Sequence, residues 1–237
     1  MTEPPTEPLA DAVRPIQPVA VARTEFPTKF GIPRQAGLVP ELRARIELLP
    51  PFATPDAVRG IDGFSHLWLI WGFSAALREE WSPLVRPPRL GGDTKVGVFA
   101  SRSPFRPNGL GLSSVRLLEV VPDAPGGPVL VVGGADLMDG TPIYDIKPYV
   151  AADAHPDATL GFTAQNTGYA VEVDLPDELA ELVPAEHRAA LVGVLAQDPR
   201  PAWQRDPDRV HGVGFAGLDV RFRVADGVLH VVEVVPQ

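Results

Sequence analysis

Residues 101–120 read SRSPFRPNGLGLSSVRLLEV, and this stretch decides the fold class. From Ser113 onward polar and apolar side chains alternate, which predicts a strand with Val115, Leu117 and Glu119 on one face. The glycines before it look like the start of a dinucleotide-binding pattern, but in that pattern the glycines open a helix. We therefore expect a β-fold and disfavour a Rossmann-type methyltransferase or dehydrogenase.

The first half of this stretch predicts a stiff, cationic loop. Pro104 and Pro107 each hold φ near about −65° and bias the preceding residue toward an extended backbone. Arg102 and Arg106 carry planar guanidinium groups that match carboxylates and phosphates, and Asn108 can donate and accept hydrogen bonds. Taken alone, such a loop is either a solvated surface turn or a ligand-binding loop that loses little entropy on binding.

Other parts of the chain also predict short strands, because apolar runs alternate with segments that contain proline or glycine. One short helix is expected within residues 51–60, with Thr54 as its N-cap and Pro55 in its first turn. This spacing is typical of an all-β barrel or sandwich, so the expected fold is mainly β. The predicted strands lie at 16–22, 45–48, 66–73, 95–100, 111–121, 129–135 and 143–148.

A change in composition divides the chain in two. Residues 151–168 are poor in large apolar side chains and are expected to form a linker or a long loop. Beyond them, residues 176–198 have helical spacing, and two strands at 217–224 and 228–235 are expected to be joined by a turn at Asp226-Gly227. We therefore predict a mobile tail at 1–14, a β-rich domain at 15–150 and a smaller α+β domain at 151–237.

Composition excludes several classes of protein. With 237 residues, of which 45% are hydrophobic, the chain can bury a core without disulfides or metals. It has no cysteine, which rules out disulfides, thiolate catalysis and cysteine-ligated metal sites. No apolar stretch approaches the roughly 18 residues that a membrane span needs, and no secretion signal opens the chain. A cytoplasmic protein is expected.

The net charge of −9 is unevenly distributed. Residues 1–150 carry 15 basic against 16 acidic side chains, whereas residues 151–237 carry 6 against 14. Within 26–106, however, 11 basic residues stand against 7 acidic ones. That local excess is sufficient to bind a phosphate backbone, although solvated surface charge is the commoner explanation of such a count.

Three further clusters carry chemistry. Residues 135–149, ADLMDGTPIYDIKPY, hold Asp136, Asp139 and Asp145, whose spacing fits no calcium loop, so no metal site is predicted. Residues 64–71, FSHLWLIW, hold a histidine and two tryptophans that are either core residues or a catalytic and base-stacking group. Residues 29–38, KFGIPRQAGL, are either an exposed connection or a rigid loop that presents Arg34 and Gln35.

Together these clusters resemble the successive signatures of the TrmO family, also called TsaA-like or YaeB-like. The segments that carry the resemblance are PRQAGL at 33–38, AVRGIDGFSHLWLIW at 57–71, RPPRLGG at 86–92, VGVFASRSPFRPNGLGLS at 96–113, DLMDGTPIYDIKPY at 136–149 and LAQDPRPAW at 195–203. The chain departs from the family at Gly109-Leu110, where Pro-Ile is usual, and this departure is expected to give the backbone of the loop more freedom there.

The resemblance implies a β-barrel enzyme that uses S-adenosylmethionine (SAM) to methylate N6 of N6-threonylcarbamoyladenosine (t6A) at position 37 of tRNA. It also implies a homodimer that completes each cofactor site. Two alternatives stay open: the same fold acting on a different substrate, and a SAM-binding barrel with a regulatory, non-catalytic role.

The resemblance and the residue chemistry together suggest roles for individual residues. The N6 proton must leave during methylation, and the candidate acceptors are Asp139, Asp145, Tyr149 and His66. The expected cofactor-binding residues are Gln35, His66, Arg102, Ser103, Arg106, Pro107, Asn108, Asp136, Leu137, Asp139 and Thr141. The expected residues for tRNA or its threonyl carboxylate are Lys29, Arg34, Arg86, Arg89, Arg106 and Lys147.

Overall fold

A computed structural model describes residues 14–75, 81–87, 94–166, 168–201, 204 and 206–237. Short 3₁₀ helices join several of the elements, at Pro55–Val58, Ile61–Gly63, Val98–Ala100, Ala151–Asp153 and Gly161–Asn166. The strands are β1 (Ala20–Arg23), β2 (Arg43–Leu48), β3 (His66–Gly72), β4 (Leu84–Val85), β5 (Val96–Gly97), β6 (Leu110–Val121), β7 (Val129–Gly133), β8 (Pro142–Pro148), β9 (Glu172–Asp174), β10 (His211–Phe215), β11 (Leu218–Ala225) and β12 (Val228–Pro236). The α-helices are α1 (Asp177–Ala180) and α2 (Ala185–Ala196).

The N-terminal strands close into a six-stranded antiparallel barrel. The strand order is β1-β2-β7-β6-β3-β8, and β8 pairs back onto β1. Alternate residues of each strand point into the barrel, so Ile46 of β2, Leu67 and Leu69 of β3 and Val115 of β6 are fully buried. The structure therefore confirms the mainly β expectation and selects a barrel over a sandwich.

A bulge in β6 changes the alternation that the sequence predicts. The register against β7 shifts between Leu117 and Glu119, which pair with Val132 and Val131. Because the extra residue Leu118 reverses the facing of the residues after it, Glu119 is exposed and Val120 packs against the barrel core. The prediction that Glu119 shares a face with Val115 is wrong for this reason.

The strand predicted over 95–100 is also largely wrong. Only Val96–Gly97 pairs, with Leu84–Val85, and this small two-stranded sheet lies outside the barrel. The next three residues form the 3₁₀ helix Val98–Ala100, in which Val98 is buried and Phe99 is 77% exposed. The short helix predicted within 51–60 is the 3₁₀ helix Pro55–Val58, where the Thr54 side chain makes no capping hydrogen bond.

The C-terminal residues form an α+β unit. Its sheet has the order β10-β11-β12-β9, with β9 parallel to β12. Asp226 and Gly227 adopt φ of 50° and 82°, which confirms the predicted hairpin turn. The helix predicted over 176–198 divides at Pro184, which precedes α2. None of the helices among the described residues is long and apolar enough to cross a membrane.

Residues 24–42, which connect β1 to β2 and are called here the bridging segment, join the barrel to the C-terminal unit. Phe26, Val39 and Leu42 of this segment belong to the hydrophobic core that α2 and the C-terminal sheet share. The rings of Phe26 and Phe215 meet edge to face with centroids 5.3 Å apart. The predicted boundary between 150 and 151 stays a prediction, since this core draws on residues from both sides of it.

Gly193 in α2 tests how tightly the bridging segment is packed. A Cβ at this position would lie 2.6 Å from Cγ1 of buried Val39. In an exposed helix Gly→Ala gains about 1 kcal/mol, but here the overlap reverses the sign. We expect Gly193→Ala to lower the free energy of unfolding by about 1–3 kcal/mol, measured by urea denaturation.

The neighbouring Val192→Ala is the matched control, because Val192 is 38% exposed and points away from this contact. Its unfolding free energy should change by less than about 0.5 kcal/mol. A Gly193→Ala protein that is more stable than the parent would show that the contact with Val39 is loose.

Candidate active site

A pocket of about 620 Å³ opens at one end of the barrel. Four chain segments meet there: the bridging segment, the end of β3 with the start of β6, the loop at 101–109, and the crossing at 134–141 between β7 and β8. Its walls are partly apolar, with Ile32, Trp71 and Phe73 among them. The charged side chains that line it are Lys29, Arg34, Arg102, Arg106 and Asp136.

Asp136 is the carboxylate of this pocket, and a chain of hydrogen bonds holds it. Ser113 Oγ donates to Asp136 Oδ1 at 2.5 Å, and Trp71 Nε1 donates to Ser113 Oγ at 2.9 Å. Burial raises the pKa of Asp136, and the hydrogen bonds from Ser113 and the backbone of Ala36 and the charge of Arg102 oppose that rise only in part. The pocket therefore contains a carboxylate that binds a proton more readily than an exposed aspartate does.

The strand register explains how Trp71 reaches Ser113. Trp71 of β3 pairs with Gly111 of β6, and Ser113 lies two residues further along the same inward face. A Cβ on Gly111 would overlap the indole ring, so only glycine lets Trp71 lie flat across β6. Gly111, which belongs to the glycine pattern of the sequence, is thus required by Trp71 on the neighbouring strand.

Arg102 and Gln35 form the polar edge of the pocket nearest to Asp136. Arg102 Nη1 donates to Gln35 Oε1 at 2.5 Å, which joins the 101–109 loop to the bridging segment. Both side chains were expected to bind the cofactor, and both line the pocket. Their planar donors and acceptors can bind a carboxylate or an amide.

Arg106 both lines the pocket and stabilises its own loop. Its Nη2 donates to the backbone oxygens of Val98 at 3.3 Å and Ser101 at 3.1 Å, so the guanidinium braces its own loop while it lines the pocket. Gly109 donates its backbone N–H to Arg106 O at 3.2 Å with φ of 56°, a conformation and a hydrogen bond that proline cannot supply. The departure from Pro at this position therefore closes the loop in a different way.

Other predicted residues shape the pocket indirectly. Asp139 accepts a hydrogen bond from the backbone of Thr24 at 3.0 Å, and Leu137 O accepts one from Thr24 Oγ1 at 3.0 Å. These contacts anchor the 134–141 crossing to the end of β1. Thr141, 3% exposed, donates to Met138 O at 2.7 Å and lines the pocket, whereas Asp139 and Leu137 do not line it.

The remaining proton-acceptor candidates lie elsewhere on the barrel. His66 begins β3, five residues from Trp71, which places it roughly 16 Å along the strand from the pocket. Tyr149 packs against it and against Trp68, with centroid distances of 6.3 and 5.6 Å. Asp145 is paired with Lys147 Nζ at 2.8 Å on the outer face of β8.

The other predicted binding residues are exposed or support the loop. Ser103 Oγ accepts a hydrogen bond from Phe105 N at 3.2 Å, while Pro107 and Asn108 are exposed beside it. Arg86 is exposed after β4 and does not line the pocket, and Arg89 lies outside the described residues.

The C-terminal motif LAQDPRPAW contains a separate polar cluster. Asp198, 8% exposed, receives two hydrogen bonds from Arg200 at 2.8 and 3.1 Å and one from Tyr169 Oη at 3.0 Å. These bonds fix the chain just after α2. Ala202 and Trp203 of the motif lie outside the described residues.

Sequence reasoning missed the roles of Trp71, which lines the pocket, and of Ser113, which hydrogen-bonds to Asp136. From the sequence, Trp71 is either a core residue or a stacking platform, and Ser113 is the first residue of an alternating strand. One signal was present in the sequence: a serine on the apolar face of an alternating strand needs a partner. That partner lies 23 residues away, so only the folded chain identifies it.

The raised pKa of Asp136 makes the stability of this site depend on pH. Because the folded protein holds the proton more tightly than the unfolded chain, whose reference pKa is 3.8, the Asp136 contribution to stability falls as pH rises through the folded pKa. Asparagine does not titrate. We expect the unfolding free energy of Asp136→Asn, relative to the parent, to increase between about pH 4 and about pH 7.

Urea denaturation of both proteins at the two pH values measures this difference. Any constant cost of the amide cancels in the comparison, so only the change with pH matters. If the unfolding free energy of Asp136→Asn relative to the parent stays constant or falls toward neutral pH, burial does not dominate the pKa of Asp136.

Comparisons with known proteins agree with this architecture along the chain. A family model described as the tRNA-methyltransferase O N-terminal domain matches residues 21–154, and one described as the TrmO C-terminal domain matches residues 170–237. A crystal structure of TrmO from Pseudomonas aeruginosa superposes with a TM-score of 0.77 at 34% identity, covering 94% of this chain and 98% of that one.

Two relatives extend the comparison to activity. The tRNA (adenine(37)-N6)-methyltransferase of Escherichia coli K12 is 39% identical over 228 residues, which is 92% of this chain and 97% of that protein. A Pyrococcus abyssi protein named as a probable S-adenosyl-L-methionine-binding protein is 33% identical over 63% of this chain and 76% of its own length. The chain therefore belongs to the TrmO family of SAM-dependent tRNA methyltransferases.

Proposed function

We propose that this protein methylates N6 of t6A at position 37 of tRNA, with SAM as the methyl donor and the barrel-end pocket as the active site. Membership of the family supports SAM-dependent methylation of tRNA. The observation that carries the finer assignment is the charge of the pocket, where four basic side chains stand against one carboxylate.

The pocket residues fit SAM. Its volume of about 620 Å³ is in the usual range for small-molecule sites. SAM carries a carboxylate, which Arg102 with Gln35 can bind, and a purine, which fits the apolar and aromatic walls of the pocket. Bound SAM supplies an electrophilic methyl group. The protein supplies orientation and the exclusion of water.

Lys29 and Arg34 are then available to bind the tRNA substrate. SAM has a single carboxylate, which Arg102 can bind, and Arg106 is already bonded to its own loop. A phosphate of the anticodon loop needs one further cation, and the threonyl carboxylate that distinguishes t6A from adenosine needs another. Lys147, expected for this role, is paired with Asp145 instead.

We also propose that the protein acts as a homodimer, as the family resemblance implies. Leu112 lines the pocket and is nevertheless 48% exposed, which supports a partner subunit that covers it. Light scattering that gives only the 25.4 kDa mass of one chain at all concentrations would rule this out. A tRNA substrate also supports the expected cytoplasmic location.

Nucleoside mass spectrometry tests the substrate directly. The purified protein is incubated with SAM and either tRNA that carries t6A at position 37 or the same tRNA with unmodified adenosine. We expect t6A to gain one methyl group, and the unmodified tRNA to react at least about tenfold more slowly, because the threonyl carboxylate is missing.

Each alternative function has its own outcome in this assay. Equal methylation of both tRNAs would favour a different substrate for the same fold. SAM binding by calorimetry without methylation of either tRNA would favour the regulatory alternative.

Substitution of Lys29 and Arg34 tests whether these two side chains bind the tRNA substrate. Lys29→Ala and Arg34→Ala should each raise KM for tRNA by about tenfold, equivalent to about 1.4 kcal/mol, with the Kd for SAM within about twofold of the parent. Arg59→Ala is the control, since Arg59 pairs with Asp56 on the surface and does not line the pocket.

The opposite pattern would contradict the assignment. If either variant weakens SAM binding and leaves the KM for tRNA unchanged, that cation binds the cofactor.

A further inference from the structure

We propose that Asp136 is the proton acceptor of the methyl transfer and that Ser113 and Trp71 position it. This inference rests on the proposed function, because it concerns the same pocket. It replaces all four candidates expected from the sequence, namely Asp139, Asp145, Tyr149 and His66.

The chemistry requires an acceptor at this place. Methylation forms the N6–CH₃ bond and breaks the S–CH₃ bond, whose electron pair returns to sulfur as a neutral thioether. The N6–H bond also breaks, and its proton passes to a carboxylate oxygen of Asp136. The N6 lone pair of t6A is delocalised into the carbamoyl group, so removing the proton restores the nucleophile.

The position of Asp136 distinguishes it from the other candidates. Among the described residues that line the pocket, it is the only carboxylate, and no histidine or tyrosine lines it. Asp139 holds the backbone of Thr24, and Asp145 is paired with Lys147. His66 lies roughly 16 Å away along β3.

The hydrogen-bond chain determines which way the carboxylate points. Ser113 is 2% exposed, and its Oγ can donate only one proton, which it gives to Asp136 Oδ1. Trp71 Nε1 donates to the same hydroxyl oxygen and so fixes the orientation of that hydroxyl. A carboxylate held in this way loses no orientational freedom when the reaction begins.

The charges around Asp136 suit a base. Burial raises the pKa of Asp136, and the hydrogen bond from Ser113 and the charge of Arg102 oppose that rise. Lys29, Arg34 and Arg106 are the other charged groups that line the pocket, all cationic. The net effect leaves the Asp136 carboxylate more basic than an exposed aspartate, which favours proton transfer from N6.

Single-turnover kinetics test the role of Asp136. Parent and Asp136→Asn are measured with t6A-containing tRNA and saturating SAM over a pH series. We expect the parent rate to rise with pH and then level off, and Asp136→Asn to be at least about a hundredfold slower and without that rise. Asp145→Asn is the matched carboxylate control and should retain the parent profile.

A binding measurement separates a proton acceptor from a carboxylate that only neutralises the sulfonium. SAM carries that charge and S-adenosylhomocysteine does not. The ratio of their Kd values, measured by calorimetry, should be the same for Asp136→Asn and the parent. A ratio that shifts by tenfold toward S-adenosylhomocysteine would overturn the assignment, and binding itself shows that the variant is folded.

Ser113→Ala tests the positioning residue. Loss of a hydrogen bond to the ionised carboxylate raises its pKa further, so the midpoint of the pH–rate profile should move to higher pH. A purely structural defect would lower the rate without moving the midpoint, which would overturn the positioning role. Ser114→Ala, on the opposite face of the same strand, is the control and should not move it.

Failure of this assignment can be told from failure of the proposed function. Parent protein that methylates t6A together with an equally fast Asp136→Asn would overturn the assignment alone. Parent protein that leaves t6A unmethylated would overturn the proposed function and this assignment with it.

Discussion

A partly buried carboxylate at the end of the barrel, Asp136, is the constraint on which the pocket depends. An unpaired charge cannot be removed from water at acceptable cost, so Asp136 needs donors and an opposite charge around it. These come from different parts of the chain: Ser113 from β6, the backbone of Ala36 from the bridging segment, and Arg102 from the 101–109 loop. The hydrogen bonds and the opposite charge that Asp136 requires thus come from three segments, which meet at the pocket.

The bridging segment couples this pocket to the C-terminal unit. Phe26 and Val39 pack into the core of that unit, and Ile32 to Gln35 between them line the pocket. Because these residues share one short connection, movement of either packing residue would displace the pocket wall. The C-terminal unit is therefore linked to the pocket wall through this shared packing.

The two arginines of the 101–109 loop make different contacts. Arg106 donates to two backbone oxygens of its own loop, whereas Arg102 bonds to Gln35 at the pocket edge. Prolines, serine turns and the Gly109 hydrogen bond supply the remaining order. A loop that is already ordered loses little entropy when it binds a ligand.

The sequence by itself determined the fold class, most of the strands, the terminal hairpin and the segments that form the pocket, because alternation, turn residues and motifs are local signals. It could not locate the β6 bulge, the 3₁₀ turn at Val98–Ala100 or the path of the bridging segment, which depend on neighbouring strands. Nor could it choose among the carboxylates, since their spacing is similar in the chain. Only the tertiary structure separated Asp136 from Asp139 and Asp145, because burial and hydrogen bonding arise from residues distant in sequence.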